Sequence, residues 1–169
     1  MPWIKTVPYA EATGRLKTLY DRVKGPDDNV DNIMMMHSLR PHSMEGHMGL
    51  YKYVLRHSAN TVPKWFLETL GVWVSLLNDC GYCVEHHFAG LTRLLGDEDR
   101  AAEIRAALEN RDIAVGPFSD AERAALDYAR VLTKMPGGIT SVMVDGLRAL
   151  GWDDGQIRAI CRFSSADSI

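Results

Sequence analysis

The run KWFLETLGVWVSLL, residues 64–77, constrains this chain more than any other stretch, because it is apolar nearly all the way round a helix. A helix of that kind has no face to turn to water, so other elements must enclose it. Pro63 stands where a first-turn proline belongs, and Asn78-Asp79 marks the end. At 169 residues the chain is long enough to build the enclosing core. No stretch approaches the eighteen or so apolar residues of a membrane span, and the N-terminal MPWIKTVPYAEATG lacks the apolar core of a signal peptide. A cytoplasmic protein without a membrane partner is expected.

The rest of the chain carries helical spacing and helical punctuation, with no convincing two-residue alternation. Residues 11–24 place Leu16, Leu19, Tyr20 and Val23 on one face, and Gly25-Pro26-Asp27-Asp28-Asn29 closes them. Residues 30–37 are rich in methionine. Pro41 opens a segment to about residue 57, with Met44, Met48, Tyr51, Val54 and Leu55 at three- and four-residue intervals. Gly96 is the expected cap of a helix over residues 80–95, and residues 97–110 form a polar helix. Ser119-Asp120-Ala121-Glu122 reads as a capping box for a helix to about Lys134, closed by Pro136-Gly137-Gly138. Two last helices flank Gly151. The expectation is one all-α domain over 1–169 of about eight helices: N-terminal helices in 1–60, a core hairpin in 63–95 and C-terminal helices in 97–169.

LRALGWDDGQIRAI has the outline of a helix-turn-helix, but Lys+Arg 19 against Asp+Glu 22 gives a net charge of −3, with no basic run to follow a phosphate backbone. Two packed core helices are the preferred reading, and nucleic acid is not an expected partner.

Chemistry concentrates in CGYCVEHH, residues 80–87. With three cysteines in all, two of them in a CxxC, the pair is more in keeping with redox or metal chemistry in a reducing compartment than with a secreted disulfide scaffold. If a helix starts at Asn78 or Asp79, both good N-caps, Cys80 and Cys83 lie one turn apart, with Cα atoms about 5 Å from each other. That separation admits a disulfide. Both thiols then sit in the first turn, where unpaired N–H groups and the helix dipole favour thiolate.

His87 distinguishes them. It follows Cys83 by four residues, on the same face, and lies roughly 10 Å along the axis from Cys80. It can take a proton from Cys83 directly and from Cys80 only at a distance, so Cys83 is the expected nucleophile and Cys80 the resolving thiol. If residues 63–77 and 80–95 form an antiparallel hairpin, Glu68 and His87 lie roughly 16 and 13 Å from its turn and come level. A carboxylate there orients the imidazole and raises its basicity.

The pattern Glu68, eleven residues, Cys80-Gly-Tyr-Cys83, three residues, His87 resembles the signature of the alkylhydroperoxidase D-like (AhpD-like) branch of the carboxymuconolactone decarboxylase family. SDAERAALDYARVLTKMP and LRALGWDDGQI are similar to the helices that follow it there, so the likeness covers most of residues 40–160. The N-terminal NIMMMHS is closer to that family's peroxidase-related subgroup. The resemblance implies an all-α homo-oligomer, trimer or hexamer, that reduces a small-molecule hydroperoxide without a metal, haem or other cofactor. It implies Cys83 as peroxidatic, Cys80 as resolving thiol and proton donor, His87 with Glu68 as relay, and a dithiol reductant or reductase protein as recycling partner. Well-characterised members carry a histidine between the cysteines, where this chain has Tyr82.

Other readings compete. Buried helical thiols are common. A non-catalytic helical oligomer with structural zinc at Cys80, Cys83 and His87, completed by Glu68, His86 or Cys161, has ligands of suitable softness, although such sites usually bring a second knuckle. Lactone decarboxylation, suggested by the wider family name, does not depend on a CxxC. His86 falls about 100° round the helix from His87, toward a surface or an interface. His37, His42, His47 and His57 read as satisfied polar groups. Met34, Met35, Met36, Met44 and Met48 read as core or oligomer packing, with the wall of an oxidant pocket as the sharper alternative.

Overall fold

The computed structural model describes residues 4–55 and 57–166; the side chains of Val54 and Leu55, counted above in the helical repeat, lie outside the described residues. Among the described residues the secondary structure is entirely helical: nine α-helices and two single-turn 3₁₀ helices, Tyr9–Glu11 and Pro136–Gly138. The chain divides into two compact units, Met1–Tyr53 and Val54–Ile169.

The first unit holds α1 (Gly14–Val23), α2 (Asn32–Met36) and most of α3 (Pro41–Leu55). The expected helix over 11–24 is broken: Ala12 and Thr13 are extended, so the 3₁₀ turn ends before α1 begins. Leu16, Leu19, Tyr20, Met34 and Met44 form its core, which settles two of the five methionines as packing residues. The Tyr20 hydroxyl donates to the Val7 carbonyl at 2.8 Å, and burial raises the Tyr20 pKa.

The second unit is built on α4 (Lys64–Leu77) and α5 (Gly81–Leu95), which pack as an antiparallel hairpin, with α6 (Glu98–Glu109), α7 (Asp120–Lys134), α8 (Ser141–Ala149) and α9 (Asp154–Ala166) around them. Ten of the fourteen residues of α4 are buried, the enclosure its composition demands. Phe66 and Leu70 are fully buried, and removing either to Ala costs about 2–5 kcal/mol by the usual cavity penalty. Indole N–H groups tie the layers: Trp73 Nε1 donates to the Leu126 carbonyl of α7 at 2.9 Å, and Trp152 Nε1 to the Ala121 carbonyl at 2.8 Å. The Trp152 ring stacks on Phe66 at 5.7 Å.

The capping box of α7 forms as read from sequence: Ser119 Oγ accepts from the Glu122 N–H, and Glu122 Oε2 accepts from the Ser119 N–H. Gly96 caps α5 in the left-handed region (φ 63°). Gly151, φ 97°, turns α8 into α9 and allows the Trp152 N–H to reach back to the Leu147 carbonyl, so the helix-turn-helix outline belongs to two core helices. No helix among the described residues is long and apolar enough to cross a membrane.

Candidate active site

The start of α5 differs from its sequence expectation. Asn78 closes α4, and Asp79 adopts a left-handed conformation (φ 55°), so neither caps the next helix. Cys80 does. Its Sγ accepts from the Cys83 N–H at 3.3 Å, and its own N–H donates to the Ser75 carbonyl at 3.0 Å, folding the turn back on α4. Cys80 is thus the N-cap and Cys83 the third helical residue. Both remain where unpaired N–H groups stabilise a thiolate.

Cys80 and Cys83 form a disulfide, their Cα atoms 5.3 Å apart, and both are half-buried. Sulfurs joined in this way are not available as metal ligands, and the described residues contain no group of three or more His, Cys, Asp or Glu able to hold a metal ion. Cys161 lies on α9, half-buried and outside the disulfide, beside Tyr128, whose pKa is raised by burial and by that neighbour.

His87 stands one turn after Cys83 on α5, and its Nδ1 pairs with Glu68 Oε2 of α4 at 2.8 Å. Both side chains are largely buried, at 7% and 13% exposure, so the bond is shielded from competing water. With Glu68 ionised, Nδ1 carries the proton and Nε2 becomes the basic ring nitrogen.

Three features that sequence reasoning did not single out hold this pair. A Cβ on Gly71 would lie 2.5 Å from Cγ and Nδ1 of His87, so the ring occupies the space above that glycine. A Cβ on Gly90 would lie 2.8–2.9 Å from the carboxyl atoms of Glu68. Each partner therefore rests on a glycine one turn further along the opposite helix. Phe163 of α9, itself buried, meets the His87 ring edge-on at 5.6 Å. Ser75, one turn beyond Gly71, has the one buried side-chain oxygen or nitrogen among the described residues without a hydrogen-bond partner.

His86 is exposed as expected, its ring stacked with that of Tyr82 at 6.2 Å. Tyr82, at 46% exposure, stands in the open beside the disulfide. Arg105 of α6 pairs with Glu85 and Glu109, lowering the pKa of Glu85, and lies over the Phe88 ring, which fastens α6 to the outer face of α5.

No protein-family profile and no curated protein sequence matches the chain. Solved structures do. A protein from Ralstonia eutropha JMP134, described as an alkylhydroperoxidase AhpD core and an uncharacterized peroxidase-related protein, superposes with a TM-score of 0.78 at 18% identity, over 99% of this chain and 83% of that one. An uncharacterized peroxidase-related protein from Silicibacter sp. TM1040 gives 0.75 at 21% identity over 99% and 82%. A protein of unknown function from Agrobacterium tumefaciens, suggested to be the antioxidant defence protein AhpD, gives 0.63 at 22% identity over 79% and 86%. This chain has the AhpD-like fold.

Proposed function

We propose that this protein is a thiol-dependent reductase of small hydroperoxides, with Cys83 as the attacking sulfur. The observation that carries this reading is the buried Glu68–His87 bond set one helical turn from a cysteine already paired with its neighbour. A nucleophile, a base and an orienting carboxylate recur wherever a weak nucleophile must be activated. The AhpD-like fold and the peroxidase-related descriptions of its structural neighbours support the same chemistry.

In the reduced protein His87 takes the proton of Cys83 and leaves a thiolate in the first turn of α5. The thiolate attacks the terminal oxygen of ROOH, the O–O bond breaks, and the alkoxide leaves with a proton as ROH. Cys83 is now a sulfenic acid. The Cys80 sulfur, one turn away, displaces the hydroxyl as water and restores the disulfide seen here. An external dithiol reopens it by exchange through a mixed disulfide. Summed, ROOH and a dithiol give ROH, water and a disulfide.

Consumption of an alkyl hydroperoxide in the presence of a dithiol tests the reading. Cys83→Ser abolishes turnover and sulfenate trapping, whereas Cys80→Ser leaves a trappable sulfenic acid at Cys83. Parent-like turnover in both variants excludes the mechanism.

A further inference from the structure

Ser75 stands out among the helical hydroxyls. Thr69, Thr92, Thr133 and Ser164 each donate to the carbonyl four residues back, the ordinary resting place of a hydroxyl inside a helix. Ser75 makes no such bond, although it is only 1% exposed. A buried hydroxyl without a partner calls for a reason.

The register of the hairpin supplies one. Gly71 lies under the His87 ring and Gly90 under the Glu68 carboxyl, which fixes the levels of the two helices. Stepping four residues toward the turn from Gly71 and from His87 moves about 6 Å along each axis. Those steps arrive at Ser75 and at Cys83, which therefore sit level.

They also lie on the same side of the seam. At about 100° per residue, Glu68 and Ser75 both fall to one side of Gly71, while Cys83 and Gly90 both fall to one side of His87. Because the Glu68 carboxyl rests against Gly90, those two sides face each other. The opposite side of the seam carries Leu67, Val74, Val84 and Leu91, all in the apolar core. One edge of the hairpin is thus apolar throughout, and the other gathers Glu68, Ser75 and Cys83.

We propose that the Ser75 hydroxyl is the hydrogen-bond donor to the Cys83 sulfur when the disulfide is open. In the disulfide state that sulfur is neutral and a weak acceptor, and the hydroxyl makes no hydrogen bond. Reduction by two electrons and one proton gives a Cys80 thiol and a Cys83 thiolate, a strong acceptor on the same edge. The donor is satisfied in the reduced and sulfenate states and orphaned in the disulfide. Ser75 accordingly lowers the Cys83 pKa and makes the disulfide easier to reduce. This deepens the reading of Cys83 as the attacking sulfur and rests on it.

The test uses the full-length chain reduced with dithiothreitol. The pH dependence of iodoacetamide alkylation at Cys83 is followed by peptide mass, and the dithiol/disulfide equilibrium is measured against dithiothreitol. Ser75→Ala, a change to a better helix former, is expected to raise the Cys83 pKa by about one unit, in line with the loss of one hydrogen bond to a charged group. It shifts the equilibrium about tenfold toward the disulfide, a potential about 30 mV more negative. Ser75→Thr, which keeps the hydroxyl, restores both values.

Superimposable alkylation profiles and equilibria in parent and Ser75→Ala overturn the assignment, as does a shift that Ser75→Thr fails to reverse, which marks simple packing. Neither readout involves a peroxide. If the parent consumes no hydroperoxide while Ser75→Ala moves both values, the proposed activity fails and the hydrogen bond stands. If the parent turns over and Ser75→Ala moves neither, the hydrogen bond fails and the activity stands.

Discussion

The ring of His87 lies directly over Gly71, where an added Cβ would come within 2.5 Å of ring Cγ and Nδ1. Those atoms are close to the α5 backbone and cannot swing clear as the end of a long side chain could. Gly71→Ala must therefore push the ring or the helices apart, and either movement breaks the bond to Glu68. In an open helix the same change gains up to about 1 kcal/mol in propensity, whereas overpacking costs about 1–3 kcal/mol. With the full propensity gain subtracted, the expected outcome is a net stability loss of up to about 2 kcal/mol, with hydroperoxide turnover down at least about tenfold, roughly the share of an orienting contact in a general-base step. Gly46→Ala is the matched control: Gly46 is exposed in α3 with nothing within 4 Å of an added Cβ. It should stabilise the chain by up to about 1 kcal/mol in denaturant titration and leave turnover unchanged.

Gly90→Ala separates position from stability. The atoms it would strike belong to the end of the Glu68 side chain, which can move. The gain in helix propensity then offsets much of the steric cost, and the unfolding midpoint should stay near that of the parent. The carboxylate nevertheless leaves Nδ1 of His87, so kcat should fall and the basic limb of its pH profile should move while KM changes little. A large loss of stability with an unaltered pH profile would contradict this account.

In the proposed mechanism the Glu68 carboxylate acts through His87, so its removal should cost less than removal of the imidazole. A positioned general base contributes about 10²–10⁴-fold, and His87→Gln should lose turnover in that range. Glu68→Gln keeps the shape and one acceptor but not the charge, and should fall between parent and His87→Gln. In the double variant the two losses should not add, because with the imidazole gone Glu68 has nothing left to orient. Additive losses would mean that Glu68 acts independently of the ring.

Much of this site was legible in the chain because helix geometry is regular. The four-residue step from Cys83 to His87 and the distances of Glu68 and His87 from the turn were enough to place the imidazole beside the carboxylate. The α7 capping box and the Gly96 cap were equally legible, since each is a local motif. The start of α5 was not. Asn78 and Asp79 are good caps by composition, but the end of α4 consumes the first and the second takes a left-handed turn, leaving the cap to a cysteine sulfur. Gly71 and Gly90 could have been found, each three residues after a member of the pair, had the hairpin register been carried beyond Glu68 and His87. Phe163 could not, because only the packing of α9 brings it to the ring.

The fold also predicts a local cap effect away from the site. Ser119 Oγ and Glu122 Oε2 satisfy each other's backbone N–H at the start of α7, the helix whose carbonyls hold Trp73 and Trp152. Ser119→Ala should cost about 0.5–2 kcal/mol. If the cap is purely structural, the loss shows in the unfolding midpoint and the Cys83 alkylation profile is unchanged.

In the first unit, His37 gives stability a definite dependence on pH. Its Nδ1 lies 2.8 Å from Ser43 Oγ, whose own proton is directed to the Arg40 carbonyl at 2.8 Å, so His37 must be the donor. Burial lowers its pKa from the ordinary 6.5. As pH falls through 6.5 the unfolded chain takes up the proton first, so the unfolded state binds more protons and folding stability declines below that point until the folded ring also titrates. Above 6.5 the ring is neutral in both states and contributes no slope. His37→Asn keeps a side-chain donor for Ser43 and removes the titration. Thermal midpoints recorded between about pH 7.5 and 5, on either side of the ordinary histidine pKa, should fall less steeply in the variant than in the parent. Parallel curves would show that the ring takes up its proton equally in the folded and unfolded chains.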